Sequence, residues 1–193
     1  MPIPRLVREG TALLLIDVQE RLLPTIHLGT DVAHNCGILL DVADALKLPT
    51  IVTEQYVRGL GRTVEGLQRH LRPGTPIVEK TRFSAAVPEV LRFLDDRRVR
   101  TVLVCGVEAH VCVLQSARDL LAGGRQVFLA TDAISSGQVD QINHAFDRMS
   151  RAGAIRTGTL GAVYELLGDA ADPLFKQCLA VVRDVRSVAH GAR

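Results

Sequence analysis

Cys112 closes the stretch Cys105-Gly106-Val107-Glu108-Ala109-His110-Val111-Cys112, between an apolar run at 101–105 and a helical pattern at 113–121. A thiol at the mouth of a strand-loop-helix unit faces backbone N–H groups that a first helical turn leaves unpaired. The helix dipole there favours the thiolate, the form of cysteine that attacks a carbonyl carbon. Two more chemistry-bearing residues stand directly beyond apolar runs: Asp17 after Leu13-Leu14-Leu15-Ile16, and Lys80 after Pro76-Ile77-Val78-Glu79. Each has a plainer alternative. Asp17 suits a helix cap, Lys80 a solvated strand end, and Cys112 a small buried hydrophobe. Brought to one edge, however, the three form a reactive set. A carboxylate beside an ammonium accepts the thiol proton, and the sulfur attacks an amide-type carbonyl. Backbone N–H groups near the helix start then stabilise the tetrahedral oxyanion. Asp17 returns the proton to the leaving amine and later activates the water that cleaves the thioester.

Rival chemistries fare worse. His110 is two residues from Cys112, and at that offset in a tight loop its side chain is expected to point away from the thiol. The six histidines are dispersed, with no pair at metal-ligand spacing on one helix face, so no metal is expected. Gly59-Leu60-Gly61 begins like a dinucleotide fingerprint, but Val64 occupies the place of its third glycine. Neither a phosphate-binding loop nor a serine nucleophile elbow is present, and no cofactor is expected.

The elements that must position these residues alternate. Strand-like runs at 11–16, 49–53, 76–78, 101–105, 126–130 and 154–157 are separated by helical patterns at 31–48, 87–96, 112–122 and 139–152. Several runs are apolar at nearly every position, as strands buried on both faces are. The pattern predicts an α/β fold, a three-layer α/β/α sandwich around a mostly parallel six-stranded sheet of Rossmann-like form. Ligands of such sheets sit beyond the carboxyl ends of the strands. That edge would carry Asp17, then Glu54, Gln55 and Tyr56, then Lys80 and Arg82, then the loop to Cys112, and Asp132. Asp31 is a candidate cap for the helix after strand one.

The 193 residues fit a single domain, with a core over about 10–183 and a frayed tail at 186–193. A net charge of +2, from 23 basic and 21 acidic side chains, leaves no footprint for nucleic acid or an anionic membrane. No signal-like or membrane-spanning run is visible, and four scattered cysteines without metal spacing read as free thiols. A cytoplasmic location is therefore expected.

Three motifs resemble the isochorismatase-like hydrolase superfamily, which includes cysteine hydrolases: Leu14-Leu15-Ile16-Asp17-Val18-Gln19, Glu79-Lys80-Thr81-Arg82-Phe83-Ser84-Ala85 and the stretch from Val104 to Val113. They occur in family order. The resemblance implies Asp17 as general acid/base, Lys80 as its electrostatic partner and Cys112 as nucleophile. It further implies a cis peptide at Val107–Glu108, an oxyanion hole from the backbone N–H groups of Glu108 and Cys112, and assembly into a homo-oligomer, a dimer or larger. Thr53-Glu54-Gln55-Tyr56 and the segment 59–64 are similar to the isochorismatase-domain-containing branch of unassigned substrate. Nicotinamidases carry a metal motif after the second strand that this chain lacks, and true isochorismatases dispense with the cysteine.

The expectation is thus a hydrolase cleaving a C–N bond of a small amide, carbamoyl or imide-like molecule. Gln19, Gln55, Tyr56 and Phe83 are candidate substrate-binding residues. Two alternatives stand beside it: a non-catalytic or redox-sensing interaction protein with a low-pKa Cys112, and a vinyl-ether hydrolase relying on Asp17.

Overall fold

The computed structural model describes residues 3–188. In chain order the strands are β1 (Thr11–Ile16), β2 (Thr50–Gln55), β3 (Ile77–Lys80), β4 (Thr101–Val107), β5 (Gln126–Ser135) and β6 (Ile155–Thr157). The helices are α1 (Gly29–Ala45), α2 (Val57–Leu60), α3 (Glu65–Gln68), α4 (Pro88–Asp96), α5 (Leu114–Ala122), α6 (Val139–Arg151), α7 (Thr159–Leu167) and α8 (Phe175–Val182). Six strands form one sheet in the order β3-β2-β1-β4-β5-β6, and every pairing between them is parallel.

The near-continuous apolar runs are explained by burial on both faces. Along β1, Leu13 and Leu15 pack into one core with α1, α7 and α8, through Leu39, Val163 and Cys178. The alternate residues Ala12, Leu14 and Ile16 pack into the other core with α4, α5 and α6, through Leu94, Leu120 and Phe146. A side-chain period of two thus feeds both layers of the sandwich. Strand order reverses between β1 and β4, the switch point at which α/β sheets open a crevice at their carboxyl edge.

Several elements run past the ends that hydrophobicity predicts. β2 continues through Glu54 and Gln55, β3 through Lys80, and β5 through Asp132 to Ser135. Polar side chains stay in these strands because partners inside the fold satisfy them. Asp132, expected at the candidate edge, instead accepts from the N–H and hydroxyl of Thr159 at 2.8 Å and anchors the start of α7. Asp31 does not cap α1. The helix begins two residues earlier, and Asp31 pairs with Arg186 at 2.7 Å.

Residues 186–188 are not part of a frayed tail. Arg186 N–H donates to Asn35 Oδ1 at 2.9 Å, its carbonyl accepts from Asn35 Nδ2, and Val188 is buried. Residues 189–193 lie outside the described residues. Among the described residues no helix is long and apolar enough to cross a membrane.

Candidate active site

Asp17 is the first residue past β1, where the chain turns abruptly. Its φ of 53° is a left-handed value that costs a non-glycine residue about 1 kcal/mol or more. The backbone is held there by its N–H, which donates to the Thr53 carbonyl at 3.1 Å. The carboxylate is fully buried. Oδ1 accepts the Thr53 hydroxyl at 2.7 Å and Oδ2 accepts Lys80 Nζ at 2.7 Å. Asp17 is therefore no helix cap.

Lys80, the last residue of β3, is no solvated strand end. Its ammonium lies 2.7 Å from Asp17, 2.8 Å from Gln55 Oε1, 3.1 Å from the Phe83 carbonyl and 3.3 Å from that of Arg82. Four acceptors surround three N–H donors, so the charge is fixed in place and fully satisfied. A buried ion pair needs such additional hydrogen bonds to offset its desolvation.

Cys112 sits in a wide π turn, Ala109–Val113, between β4 and α5, and is 5% exposed. Val111 N–H and Val113 N–H both donate to the Glu108 carbonyl at 3.1 Å, which closes the turn. The Val107–Glu108 peptide that leads into it is cis. Burial pushes the thiol pKa far up; the negative charge of Asp17 and a hydrogen bond to it add to the rise, and the Lys80 ammonium offsets part. The expected helix-dipole effect on the thiol thus meets opposing influences. Burial next to a carboxylate favours the neutral thiol and opposes the helix start.

The remaining candidates divide. Gln19 and Gln55 spend their amides on the fold. Gln19 Nε2 donates to the carbonyls of Gln55 and Gly61, and its Oε1 accepts the Gln55 N–H at 2.7 Å. Gln55 Nε2 donates to the Thr81 carbonyl while its Oε1 holds Lys80. Gln19 is accordingly a buried brace rather than a pocket wall, and Gln55 orients the ammonium. Tyr56 and Phe83 are more than half exposed beside Lys80, Tyr56 through its N–H to the Lys80 carbonyl. His110 Nδ1 lies 2.9 Å from Ser136 Oγ. The Glu108 carboxylate accepts the Gly137 N–H at 2.9 Å.

Sequence reasoning passed over the roles of Thr53 and Ser116, and placed Glu54 at the edge without a role. Thr53 is a polar residue at the end of a short apolar run, a signal that only gains meaning once β2 is known to lie beside β1. Glu54 is 1% exposed and accepts both the N–H and hydroxyl of Thr63, with Arg62 at 2.9 Å, so it ties the loop after α2 to the strand edge. No group of three or more His, Cys, Asp or Glu side chains converges on a metal-sized point among the described residues. A groove of about 600 Å³ opens elsewhere, between α1, α3 and α8, and is lined by none of the three reactive residues.

The chain matches the isochorismatase domain model over residues 11–159, a span that holds Asp17, Lys80 and Cys112. It is 38% identical over 182 residues to isochorismatase domain-containing protein 2 of Bos taurus, covering 93% of this chain and 86% of that protein. Among solved structures, the MAR1 ribonuclease of Caenorhabditis elegans superposes with a TM-score of 0.92 at 37% identity, covering 95% of each chain. The ycaC gene product of Escherichia coli, described as an octameric hydrolase of unknown specificity, superposes with a TM-score of 0.85 at 27% identity, covering 96% of this chain and 90% of that one. With the domain model spanning the whole strand edge, and relatives matched nearly end to end, the chain belongs to the isochorismatase family of hydrolases.

Proposed function

We propose that the chain is a cysteine hydrolase that cleaves a C–N bond of a small amide, carbamoyl or imide-like molecule through a thioester. The observation that carries the reading is a buried thiol against a carboxylate whose two oxygens are held by Thr53 and Lys80. A neutral thiol sets the order of events. As Cys112 Sγ bonds to the carbonyl carbon, its proton passes to Asp17, and the fixed Lys80 ammonium stabilises the charge during transfer. The carbonyl oxygen becomes an oxyanion, received by the backbone N–H groups of Glu108 and Cys112. Collapse breaks the C–N bond, and Asp17 protonates the departing amine or ammonia. Water then gives a proton to Asp17 while its oxygen attacks the thioester, and the thiol leaves with that proton. Tyr56 and Phe83, exposed at this edge, are the side chains offered to a flat substrate.

Several observations support the wider reading. A retained thiol favours C–N cleavage over vinyl-ether cleavage. A redox sensor needs an accessible, low-pKa thiol, and this one has neither property. Four free cysteines suit a reducing compartment such as the cytoplasm. Exposed Ile3, Val7, Leu160 and Tyr164 offer apolar surface for a homo-oligomer.

The test is release of ammonia or amine across a panel of small amides, carbamoyl compounds and imides, with a single-stranded RNA included because of the C. elegans neighbour's name. Cys112→Ala, Asp17→Asn and Lys80→Met should each lower turnover by about three orders of magnitude or more. Intact mass should show an acyl adduct on wild type alone. Activity that survives Cys112→Ala would remove the thioester mechanism, and turnover of RNA without any amide would replace the substrate class.

A further inference from the structure

Lys80 and Cys112 come from strands that do not touch. In the order β3-β2-β1-β4, the lysine strand and the cysteine strand are three steps apart, about 14 Å at the usual spacing of parallel strands. The segment after Lys80, residues 81–87, crosses this gap. Its outer half, Thr81 to Phe83, is exposed, and its inner half, Ser84 and Ala85, is buried. The buried half ends on α5.

One hydroxyl makes the junction. Ser116 Oγ accepts the Ala85 N–H at 2.7 Å and donates to the Cys112 carbonyl at 2.6 Å, and its side chain is completely buried. A second tie runs beside it. Burial pushes the Asp119 carboxyl up, but hydrogen bonds from Ser84 and Arg118 outweigh this and leave its pKa below the usual range. Helix formation alone does not call for a serine here. Alanine has the higher propensity, and a hydroxyl bonded back to the carbonyl four residues earlier slightly destabilises and bends a helix. The long-range partner, Ala85, accounts for the hydroxyl better than the helix does.

We infer that Ser116 is a positioning residue. Its hydroxyl locks the turn carrying Cys112 to the loop whose carbonyls hold Lys80, and so sets the thiol against Asp17. The inference rests on the cysteine-hydrolase reading above, since it concerns how that nucleophile meets its base. Without the hydroxyl, the Ala85 N–H and one acceptor site of Cys112 lose their partner. The two halves of the site are then free to separate by fractions of an ångström, enough to weaken proton transfer between Sγ and Asp17.

Iodoacetamide tests this in the full chain, because its reaction needs only that transfer. Sγ bonds to the methylene carbon, iodide leaves, and the thiol proton goes to Asp17. Labelling of Cys112 is followed by peptide mass spectrometry between about pH 6 and 9, with thermal unfolding as the check on folding. Ser116→Ala should slow labelling roughly ten- to hundredfold across this range, because a thiol whose pKa is raised by burial does not ionise unaided within it. Ser116→Thr, which keeps the hydroxyl, should return the rate to within about threefold of wild type. Wild-type labelling by Ser116→Ala, or equal loss in Ser116→Ala and Ser116→Thr, overturns the inference. Should the alanine variant not fold, Ser116→Thr against Ser116→Val repeats the comparison at equal size. Asp17→Asn separates the two levels. If it labels like wild type, the cysteine-hydrolase reading fails and this inference with it. If it is slow while Ser116→Ala is not, the positioning role alone fails.

Discussion

Cys112 shows how neighbouring atoms reverse what local sequence implies. A cysteine before a helix reads as an activated thiolate, yet burial and the Asp17 carboxylate raise its pKa. Cys36 is raised as well, by burial first and then by its neighbour Cys105, and Cys178 by burial. A raised thiol pKa has a defined effect on stability. In the unfolded chain thiols ionise near pH 9, whereas the folded chain keeps these protons. Between the two values the native state binds more protons, so stability is fully present below pH 9 and declines as pH rises beyond it. We expect the stability difference between wild type and Cys36→Ala to shrink by about 1.4 kcal/mol per pH unit above that point. Urea midpoints from neutral pH to about 10.5 measure it. A difference that stays constant over the range removes the assignment.

Among the elements, β4 carries the tightest steric demand. Its pairing with β5 shifts register between Val104 and Gly106, and Gly106 has a φ of 115°. A Cβ at Gly106 would meet the Ile16 carbonyl oxygen at 2.1 Å, the very strand end that launches Asp17. Backbone cannot give way as a side chain tip can. Gly106→Ala should destabilise by about 4 kcal/mol or more, read as a lost or strongly lowered urea midpoint. A loss below about 1 kcal/mol would show that β1 and β4 separate more easily than this packing implies. The π turn and bulge together bring Cys112 over the end of β1, and neither has a hydrophobic signature. The sequence carried the apolar stretches of the strands well, but the strand ends poorly. Glu54, Gln55 and Asp132 look like loop residues until their buried partners are known.

At the scale of the molecule, the open question is assembly. Ile3, Val7, Leu160 and Tyr164 are between 43% and 87% exposed, and Val7 and Tyr164 line the same cleft beside α7. A 21.0 kDa chain with this surface should associate with copies of itself through it. Sedimentation velocity should find one species at a multiple of that mass, and Tyr164→Glu or Leu160→Glu should shift it toward the monomer. A wild-type monomer at micromolar concentration would refute the assignment.

The order of elements, the two-sided burial of the sheet and the motifs around Asp17, Lys80 and Cys112 were readable in the chain, because periodicity and local residue types carry them. The state of the thiol was not, nor were the Thr53 and Lys80 bonds to Asp17, the brace of Gln19, or the Ser116 link. All of these join residues tens of positions apart, across strands whose neighbours are set only when the sheet is assembled. Charge, burial and hydrogen bonding at one point depend on everything within a few ångströms, and that neighbourhood exists only in the folded molecule.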